Sequence, residues 1–254
     1  MPSQLRSLRT RFLPHGPLDL LWQFALFATA FYAYRITRGF IDDPQGAAVA
    51  FENARALIHV EQSLGVFVEP SVQAWADTKP VIIDFASWMY LNAQTSMTLA
   101  ALVFLYIFHN RSFYFVRNMF LVAFAVALVG YVVLPTAPPR FFPEWGFYDT
   151  VSDFAGVNHD SVTVDSLFNP YAAVPSMHIA FSLMISVPLA RLCRHRAARI
   201  AWAAYPLLIL FVIVATGNHF FSDAVLGAVT AGIGALAADR MGRVRPTAWA
   251  FAQI

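Results

Sequence analysis

The sequence GNHFFSD, residues Gly217–Asp223, is a polar break between two apolar runs. A second polar stretch, PSMH, residues Pro175–His178, stands immediately before another apolar run. Each stretch places a histidine at the start of an apolar segment. His219 and Asp223 are four residues apart, so on a helix they lie on one face, one turn apart. This arrangement predicts a membrane protein whose reactive side chains gather at helix ends.

The composition supports that prediction. Of the 254 residues, 58% are hydrophobic and 13% are charged, with a mean hydropathy of +0.56, whereas a soluble domain contains about 25% charged residues. We therefore expect a single integral membrane domain over residues 1–254. The sequence contains no Gly-rich phosphate loop, no CxxC and no HExxH motif, and scattered arginines alone give no support for nucleic-acid binding. The lone Cys193 allows no internal disulfide.

Six apolar segments predict an all-α bundle of six transmembrane helices. The segments run from about Leu18 to Ile36, Val81 to Phe108, Phe113 to Leu134, His178 to Leu192, Ile200 to Thr216 and Phe220 to Ala238. The first follows Arg6, Arg9 and Arg11, as a signal peptide would, but no small-residue cleavage site comes after it. We therefore expect it to be retained as a membrane helix.

The segment 41–80, between the first two spans, is too polar to cross a membrane. Its apolar residues recur at helical spacing, which predicts an amphipathic helix along the membrane interface. These apolar residues are Phe51, Ala54, Leu57, Ile58 and Leu64. Pro70, after Glu69, predicts the start of a second short helix that ends near Asp77.

The distribution of arginine predicts the orientation of the bundle. With six spans and a cytosolic N-terminus, all the short basic segments fall on the cytosolic side, as the positive-inside rule requires. These are Arg6–Arg11, Arg111–Arg117, Arg191–Arg199 and Arg240–Arg245. Both termini are then cytosolic in the cell membrane, and the segment 41–80 and both histidine stretches are extracytoplasmic. We expect Arg117 to extend to the cytosolic interface. Glu61 and Asp84 fall on the outer side without an evident partner.

The two histidines and Asp223 are candidates for catalysis. A carboxylate one turn after His219 can accept its ring N–H and leave the other nitrogen to attack a substrate. His178, at the same depth, suits general acid catalysis. The same residues allow two other interpretations. In the first, the histidines are structural and Asp223 caps a helix. In the second, the two histidines and the carboxylate bind a metal ion.

Further polar residues are candidates for phosphate or substrate binding. Arg140 follows two prolines on the outer side, where its guanidinium either binds phosphate oxygens or anchors the chain to lipid headgroups. Ser176 and the N–H groups of the helix that starts beside it would add donors for an anion. Asn169, Tyr171 and Asn218 flank the motifs and either bind a polar substrate or satisfy loop backbone.

PSMH and GNHxxxD resemble the second and third motifs of the type-2 phosphatidic acid phosphatase superfamily. PTAPPR, residues Pro135–Arg140, resembles the inositolphosphotransferase-like branch, which is related to inositol phosphorylceramide synthase. The similarity by motif defines a catalytic region over residues 135–228. The resemblance implies that His219 attacks phosphorus and forms a phosphohistidine, that Asp223 orients it, and that His178 protonates the leaving alkoxide. It also implies that no metal or other cofactor is needed.

The chain departs from the superfamily pattern at three places. Met177 stands where the second motif commonly has glycine, and Thr216-Gly217-Asn218 replaces the usual Ser-Arg pair of the third motif. The first motif, Lys-x6-Arg-Pro, is not visible. Phosphate binding would then fall to other groups, of which Arg140 is the candidate.

The resemblance implies a membrane enzyme that cleaves a lipid phosphate ester. The phosphoryl group or the phospho-headgroup would pass to a polyol, sugar or lipid hydroxyl, which makes the protein a phosphotransferase. Water as the acceptor would instead make it a lipid phosphate phosphatase. A non-catalytic membrane transporter or scaffold is the alternative from another class.

Overall fold

The computed structural model describes Leu13 and residues 15–39, 44–156 and 171–250, and these ranges contain helices but no β-strand. The all-α prediction is therefore confirmed for this part of the chain. The helices are α1 Pro17–Gly39, α2 Pro44–Ser63, α3 Glu69–Asp77, α4 Pro80–Phe108, α5 Asn110–Val133, α6 Thr150–Ala155, α7 Met177–Leu192, α8 Arg196–Ala215, α9 Phe221–Val244 and α10 Pro246–Trp249.

Four of these helices, α4, α5, α8 and α9, are long and apolar enough to cross a membrane. Valines and leucines along these helices are highly exposed, for example Val103, Val129, Leu207 and Leu236, as lipid-facing residues are. The protein is therefore membrane-embedded. The other two predicted spans fall on α1 and on the shorter apolar helix α7, so the count of six spans stays a prediction.

Helix α7 lies at the centre of the bundle, because it packs against α4, α5, α8 and α9. Helix α9 also packs against α5, α8 also packs against α4, and α1 packs on α5. Small residues let these helices approach closely, as is usual in membrane bundles. A Cβ added at Gly234 of α9 would lie 3.0 Å from the carbonyl oxygen of Met119 in α5. This packing brings the starts of α7 and α9 together.

Helices α2 and α3 occupy the segment 41–80 and cover the loop that follows α5. The buried face of α2, Ala50, Ala54 and Ile58, belongs to one cluster with Phe142, Phe147 and Phe220. Leu64 was expected on this face, but it is 69% exposed. The reason is that α2 ends at Ser63 and the chain turns at Gly65, which has a φ of +70°.

The prediction for Arg117 is wrong, because its side chain is buried instead of extending to the interface. Its Nη1 donates to Oε1 of Gln23 at 2.8 Å, and its Nε and Nη2 donate to Oδ1 of Asn118 at 3.1 and 2.7 Å. Nη2 also donates to the carbonyl oxygen of Trp249 at 3.3 Å. These hydrogen bonds replace those that the charged Arg117 guanidinium would make with water. They also connect α1, α5 and α10.

The stretch between α5 and α7 contains three prolines at its start, at positions 135, 138 and 139, and its described part is partly helical. Two 3-10 turns, Pro139–Phe141 and Pro143–Trp145, precede the short helix α6. After residues 157–170, which lie outside the described ranges, the chain returns beside Thr136. There the backbone N–H of Thr136 donates to the carbonyl oxygen of Tyr171 at 2.8 Å. Both ends of the loop are thus anchored next to the helix starts that carry the histidines.

Candidate active site

The turn between α8 and α9 places His219. Gly217 follows the last residues of α8 with a φ of +64°, a conformation that glycine adopts without steric cost. A Cβ at this position would also lie 2.9 Å from Nε2 of Gln73. The backbone N–H groups of Asn218 and His219 both donate to the carbonyl oxygen of Ile213, at 3.1 and 3.2 Å. These bonds fix the backbone on which the His219 ring stands.

His219 pairs with Asp223 as the spacing predicts. Nδ1 of His219 lies 3.2 Å from Oδ2 of Asp223, and the backbone N–H of Phe220 donates to the same oxygen at 2.9 Å. Asp223 is fully buried and His219 is 6% exposed. A side chain with so little freedom holds the imidazole in one orientation. Asp223 therefore both caps α9 and orients His219, so these two interpretations are compatible.

His178 stands opposite His219, in the first turn of α7. Its ring stacks on Tyr90 of α4, with centroids 4.4 Å apart and planes at 23°. The same ring meets the His219 ring edge-on, with centroids 5.5 Å apart and planes at 64°. The two histidines, distant in sequence, thus share one site. Among the described residues, no group of three histidine, cysteine or acidic side chains is arranged to hold a metal ion.

The starts of α7 and α9 touch through their backbones at Ser176. Its N–H donates to the carbonyl oxygen of Asp223 at 3.0 Å. A Cβ on Gly227 would lie only 2.3 Å from the carbonyl oxygen of Ser176. Ser176 itself is fully buried, and its Oγ has no hydrogen-bond partner in the described part of the chain. This contact sets the distance between the two histidine-bearing turns.

Arg140 lies against the same turn. Its N–H donates to the carbonyl oxygen of Gly217 at 2.8 Å, and its Nη1 donates to Oδ1 of Asn218. Its Nε lies 3.3 Å from Oδ2 of Asp149. Asn218 is buried, and its Nδ2 donates to both oxygens of Thr216 at 3.0 Å. The Asn218 amide thus fixes the loop and binds the Arg140 guanidinium at the residue that precedes His219 in the chain.

Tyr171, Asn169 and Asp84 are the other residues that the sequence singles out. The Tyr171 ring is in an aromatic group with Phe51 and Phe141, with centroids 6.0 and 6.2 Å away. Asn169 lies outside the described residues. Asp84 lines a separate cleft of about 260 Å³ together with Asp77 and Asp153.

Two buried glutamates complete the site, and sequence reasoning gave neither of them a role. Oε1 of Glu61 in α2 accepts the backbone N–H of Ser222 at 2.7 Å and also accepts its hydroxyl. Oε1 of Glu69 in α3 accepts the backbone N–H of Phe221 at 2.8 Å. Burial, together with contact with Glu61, raises the pKa of the Glu69 carboxyl to about 8. The sequence gives only one indication of their role, namely that acidic residues occur in the segment 41–80, which covers apolar residues of the loop.

Most of the chain is similar in sequence to proteins of a known family. Residues 55–237 match a family model described as the PAP2 superfamily. A phosphoinositol dihydroceramide synthase from Bacteroides thetaiotaomicron is 26% identical over 232 residues, which cover 82% of this chain and 72% of the synthase. No solved structure gives a significant match. The range matched by the family model includes His178, His219, Asp223 and Arg140.

Proposed function

Because the chain belongs to the PAP2 superfamily, we propose that it cleaves a lipid phosphate ester and passes the phosphoryl group or the phospho-headgroup to an acceptor hydroxyl. The observation that carries this proposal is the pairing of two histidine rings at one site, with a buried carboxyl behind one of them. A pair of histidines of which one is oriented by a carboxyl provides a nucleophile and a proton donor.

In the first step, Nε2 of His219 attacks phosphorus. A bond forms between this nitrogen and phosphorus, and the bond between phosphorus and the leaving oxygen breaks. The protonated ring of His178 donates its proton to that oxygen, so an alcohol leaves. Asp223, whose Oδ2 lies 3.2 Å from Nδ1 of His219, accepts the Nδ1–H and stabilises the charge that the ring acquires. A phosphodiester substrate leaves its headgroup on the intermediate.

In the second step, an acceptor hydroxyl attacks the phosphohistidine. The bond between nitrogen and phosphorus breaks, its electron pair returns to Nε2 of His219, and neutral His178 takes the proton of the hydroxyl. The similarity to a phosphoinositol dihydroceramide synthase supports a polyol, sugar or lipid hydroxyl as the acceptor. Water in the same position would give a phosphatase, and the two reactions differ only in the acceptor.

Arg140 completes the proposed machinery as the phosphate-binding cation. The Asn218 amide and the Asp149 carboxyl hold its guanidinium next to the turn of His219. A guanidinium held in this way binds phosphate oxygens through parallel N–H groups and stabilises the charge that develops in the transition state. It would replace the basic residues of the missing first motif.

We place this site on the extracytoplasmic side of a six-span bundle with both termini in the cytosol. The arginines support this orientation. Arg196 and Arg199 begin α8, and Arg240 and Arg243 lie in the last turns of α9, whereas His219 follows the end of α8 and precedes α9. The basic ends and the histidines therefore lie at opposite ends of these helices, as the positive-inside rule predicts for an outer site.

Substitution of His219 tests the proposed function. We expect purified wild-type protein in lipid vesicles to convert a lipid phosphodiester into a new phosphodiester when a hydroxyl acceptor is present. His219→Ala should form no product above background while keeping the wild-type unfolding temperature. His59→Ala is the matched control, because His59 is exposed on α2, and it should retain activity. Turnover by His219→Ala close to that of the wild type would contradict the proposal.

Analysis of the products shows whether the acceptor is a hydroxyl compound or water. Phosphotransfer gives a product whose mass contains the acceptor, and its yield rises with acceptor concentration. A released phosphate or phospho-headgroup whose yield does not depend on the acceptor would identify a phosphatase. Absence of any product from the wild-type protein would favour a non-catalytic role.

A further inference from the structure

The first turn of α9 is held by three carboxyl groups in succession. The N–H of Phe220 donates to Asp223, that of Phe221 to Glu69, and that of Ser222 to Glu61. Glu61 and Glu69 come from α2 and α3, outside the membrane-spanning helices. These N–H groups have no backbone partner within α9, because they are at its N-terminal end. Two outer helices therefore fix the turn that lies between His219 and Asp223.

Three buried carboxyl groups in one cluster would repel one another if all were ionised, and one bound proton would reduce this repulsion. Glu61 is 2% exposed, and Glu69 and Asp223 are fully buried. Two ionised carboxylates on adjacent N–H groups repel each other strongly in such a site, and the partial positive charge of one helix end is only about half an elementary charge. Oε2 of Glu61 and Oε2 of Glu69 are both buried without a hydrogen-bond partner among the described residues. The Glu69 carboxyl lies in contact with that of Glu61, so a proton held between the two groups would supply a hydrogen bond that the pair lacks.

We propose that Glu61 and Glu69 share one proton and act as positioning residues that hold His219 and Asp223 opposite His178. This inference rests on the proposed function. Neither glutamate touches the reacting atoms; both act through the backbone of Phe221 and Ser222. With one shared proton, the pair carries a single negative charge and keeps both N–H groups bound.

Loss of the shared proton would loosen the site. A second negative charge then appears beside Glu61 and close to Asp223, and repulsion moves α2 and α3 away from the start of α9. The pKa of Glu69, raised to about 8 by burial and by Glu61, sets the pH at which this occurs. The folded protein holds a proton that the unfolded chain releases near its ordinary pKa of 4.5. The stabilising contribution of Glu69 is therefore complete below about pH 4.5 and is lost as the pH rises through about 8.

The other titratable groups around the pair belong to the neighbouring elements. At the start of α9 the titratable group is Asp223, and in the turn before α9 it is its partner His219. Asp77 ends α3, Asp84 belongs to α4, and Tyr148 of the loop lies with these two at the separate cleft. Helix α8 meets α3 near Phe211, at the opposite end from its basic first turn, Arg196–Arg199. Arg140 and Asp149 form an ion pair in the loop.

The pH dependence of Glu69→Gln tests the proposal. A glutamine keeps an oxygen for the N–H of Phe221 and an NH₂ group that donates to Glu61, so it imitates the protonated state at every pH. Above about pH 8, we expect kcat of the wild type to fall by about tenfold per pH unit more steeply than kcat of Glu69→Gln. The variant keeps only the fall that loss of the His178 proton causes, and KM should be little changed. Glu52→Gln, an exposed position on α2, should follow the wild type.

A merely structural role would give a different result. If Glu69→Gln changes the unfolding temperature but shows the same alkaline fall in kcat as the wild type, the positioning role is overturned. The same conclusion follows if its unfolding temperature differs from that of the wild type by the same amount at every pH. A difference that grows in favour of Glu69→Gln as the pH rises supports the proposal.

Infrared spectroscopy keeps the proposal testable if Glu69→Gln does not fold. Wild-type protein should show the C=O absorption of a protonated carboxyl at neutral pH, and this band should vanish as the pH passes about 8. In Glu61→Gln the band should vanish at a lower pH, because contact with Glu61 contributes to the raised pKa. Absence of the band from the wild type at neutral pH overturns the proposal. Wild-type protein without any turnover would refute the proposed function, while the band would still test the shared proton.

Discussion

A single oxygen of Asp223 contacts both the backbone at the start of α9 and the ring of His219. Oδ2 of Asp223 lies 3.2 Å from Nδ1 of His219 and accepts the N–H of Phe220 at 2.9 Å. The start of α9 and the orientation of the imidazole are therefore fixed by the same atom. A change at Asp223 would alter both, so its substitution cannot separate a structural from a catalytic role. A residue that has only one of these two roles is a better target for testing the mechanism by substitution.

Arg140 is such a target, because it contacts the turn without touching the Asp223 carboxyl. We expect Arg140→Lys to lower kcat/KM about tenfold to a hundredfold, since a hydrogen bond to a charged group contributes about 1.5–3 kcal/mol. A lysine ammonium cannot bridge Asn218 and Asp149 and also bind phosphate as the planar guanidinium can. Steady-state kinetics with a lipid phosphodiester measure the effect.

The control for this substitution is Arg111→Lys. Arg111 is exposed at the start of α5, and its variant should keep wild-type kinetics. If Arg140→Lys also retains wild-type kcat/KM, the phosphate is bound by other groups, and Arg140 has only the loop contacts that the structure shows.

The sequence predicts the residues of this site only where the partners are close in the chain or carry a motif. The spacing of four residues identifies the pair His219 and Asp223, and the motif identifies His178. Glu61 and Glu69 give no such signal, because their partners Ser222 and Phe221 come from a helix far away in the sequence. Arg117 was misplaced for the same reason, since two of its acceptors, on Gln23 and Trp249, come from other helices.

At the scale of helices, the contact between α7 and α9 determines the geometry of the site. Gly227 allows the Ser176 carbonyl oxygen to approach the axis of α9, and a Cβ would lie 2.3 Å from that oxygen. Neither partner can yield easily, because both the carbonyl and the helix belong to the backbone. The separation of His178 and His219 therefore depends on the absence of a side chain at this position.

Gly227→Ala should separate the two helix starts. We expect a loss of about 1–3 kcal/mol of stability, as is usual when atoms are added to a packed interior, and a fall in kcat. The unfolding temperature in detergent and the kinetics in vesicles measure the two effects.

Gly232→Ala is the matched control on the same helix. A Cβ at Gly232 meets no atom within 4 Å, and alanine favours helix by about 0.5–1 kcal/mol over glycine. This variant should be as stable as the wild type or more stable, with unchanged kinetics. Equal behaviour of the two variants would show that the contact with Ser176 does not determine the site.

Hydrophobic runs predict most of the helices but not how they pack. The predicted segments fall on α1, α4, α5, α7, α8 and α9, and Pro70 and Asp77 predict α3 correctly. The helical spacing in α2 predicts its buried residues Ala54 and Ile58, but it does not show that they pack on phenylalanines of the loop. The spacing of apolar residues along a helix shows which face of the helix is buried, but not which other part of the protein packs on that face.

At the scale of the whole molecule, the two ends of the bundle differ in chemistry. One end carries the histidines and is covered by α2 and α3, while the other carries the arginines that begin α8 and end α9. Apolar side chains between the two ends are exposed, as contact with lipid requires. Composition predicts this general plan, and the arginine pattern predicts the orientation.

The single cysteine provides a test of that orientation. Cys193 is partly exposed after the end of α7, in the basic segment that we expect to face the cytosol. In sealed right-side-out vesicles, a membrane-impermeant maleimide should label it only after permeabilisation. The double variant Cys193→Ser with Glu52→Cys moves the thiol to the exposed face of α2 and should be labelled without permeabilisation. The opposite pattern of labelling would place the site in the cytosol.

In the proposed mechanism, His219 carries the phosphoryl or phospho-headgroup intermediate while His178 moves protons. His178→Ala can separate these roles with a lipid-linked nitrophenyl phosphodiester, because nitrophenolate leaves without being protonated. The variant should release about one nitrophenol per enzyme molecule in a burst and then stop, because no base remains to activate the acceptor. Mass spectrometry of the quenched protein should find the adduct on His219. A variant that gives neither a burst nor an adduct, or an adduct on another residue, would contradict the assignment of His219 as the nucleophile.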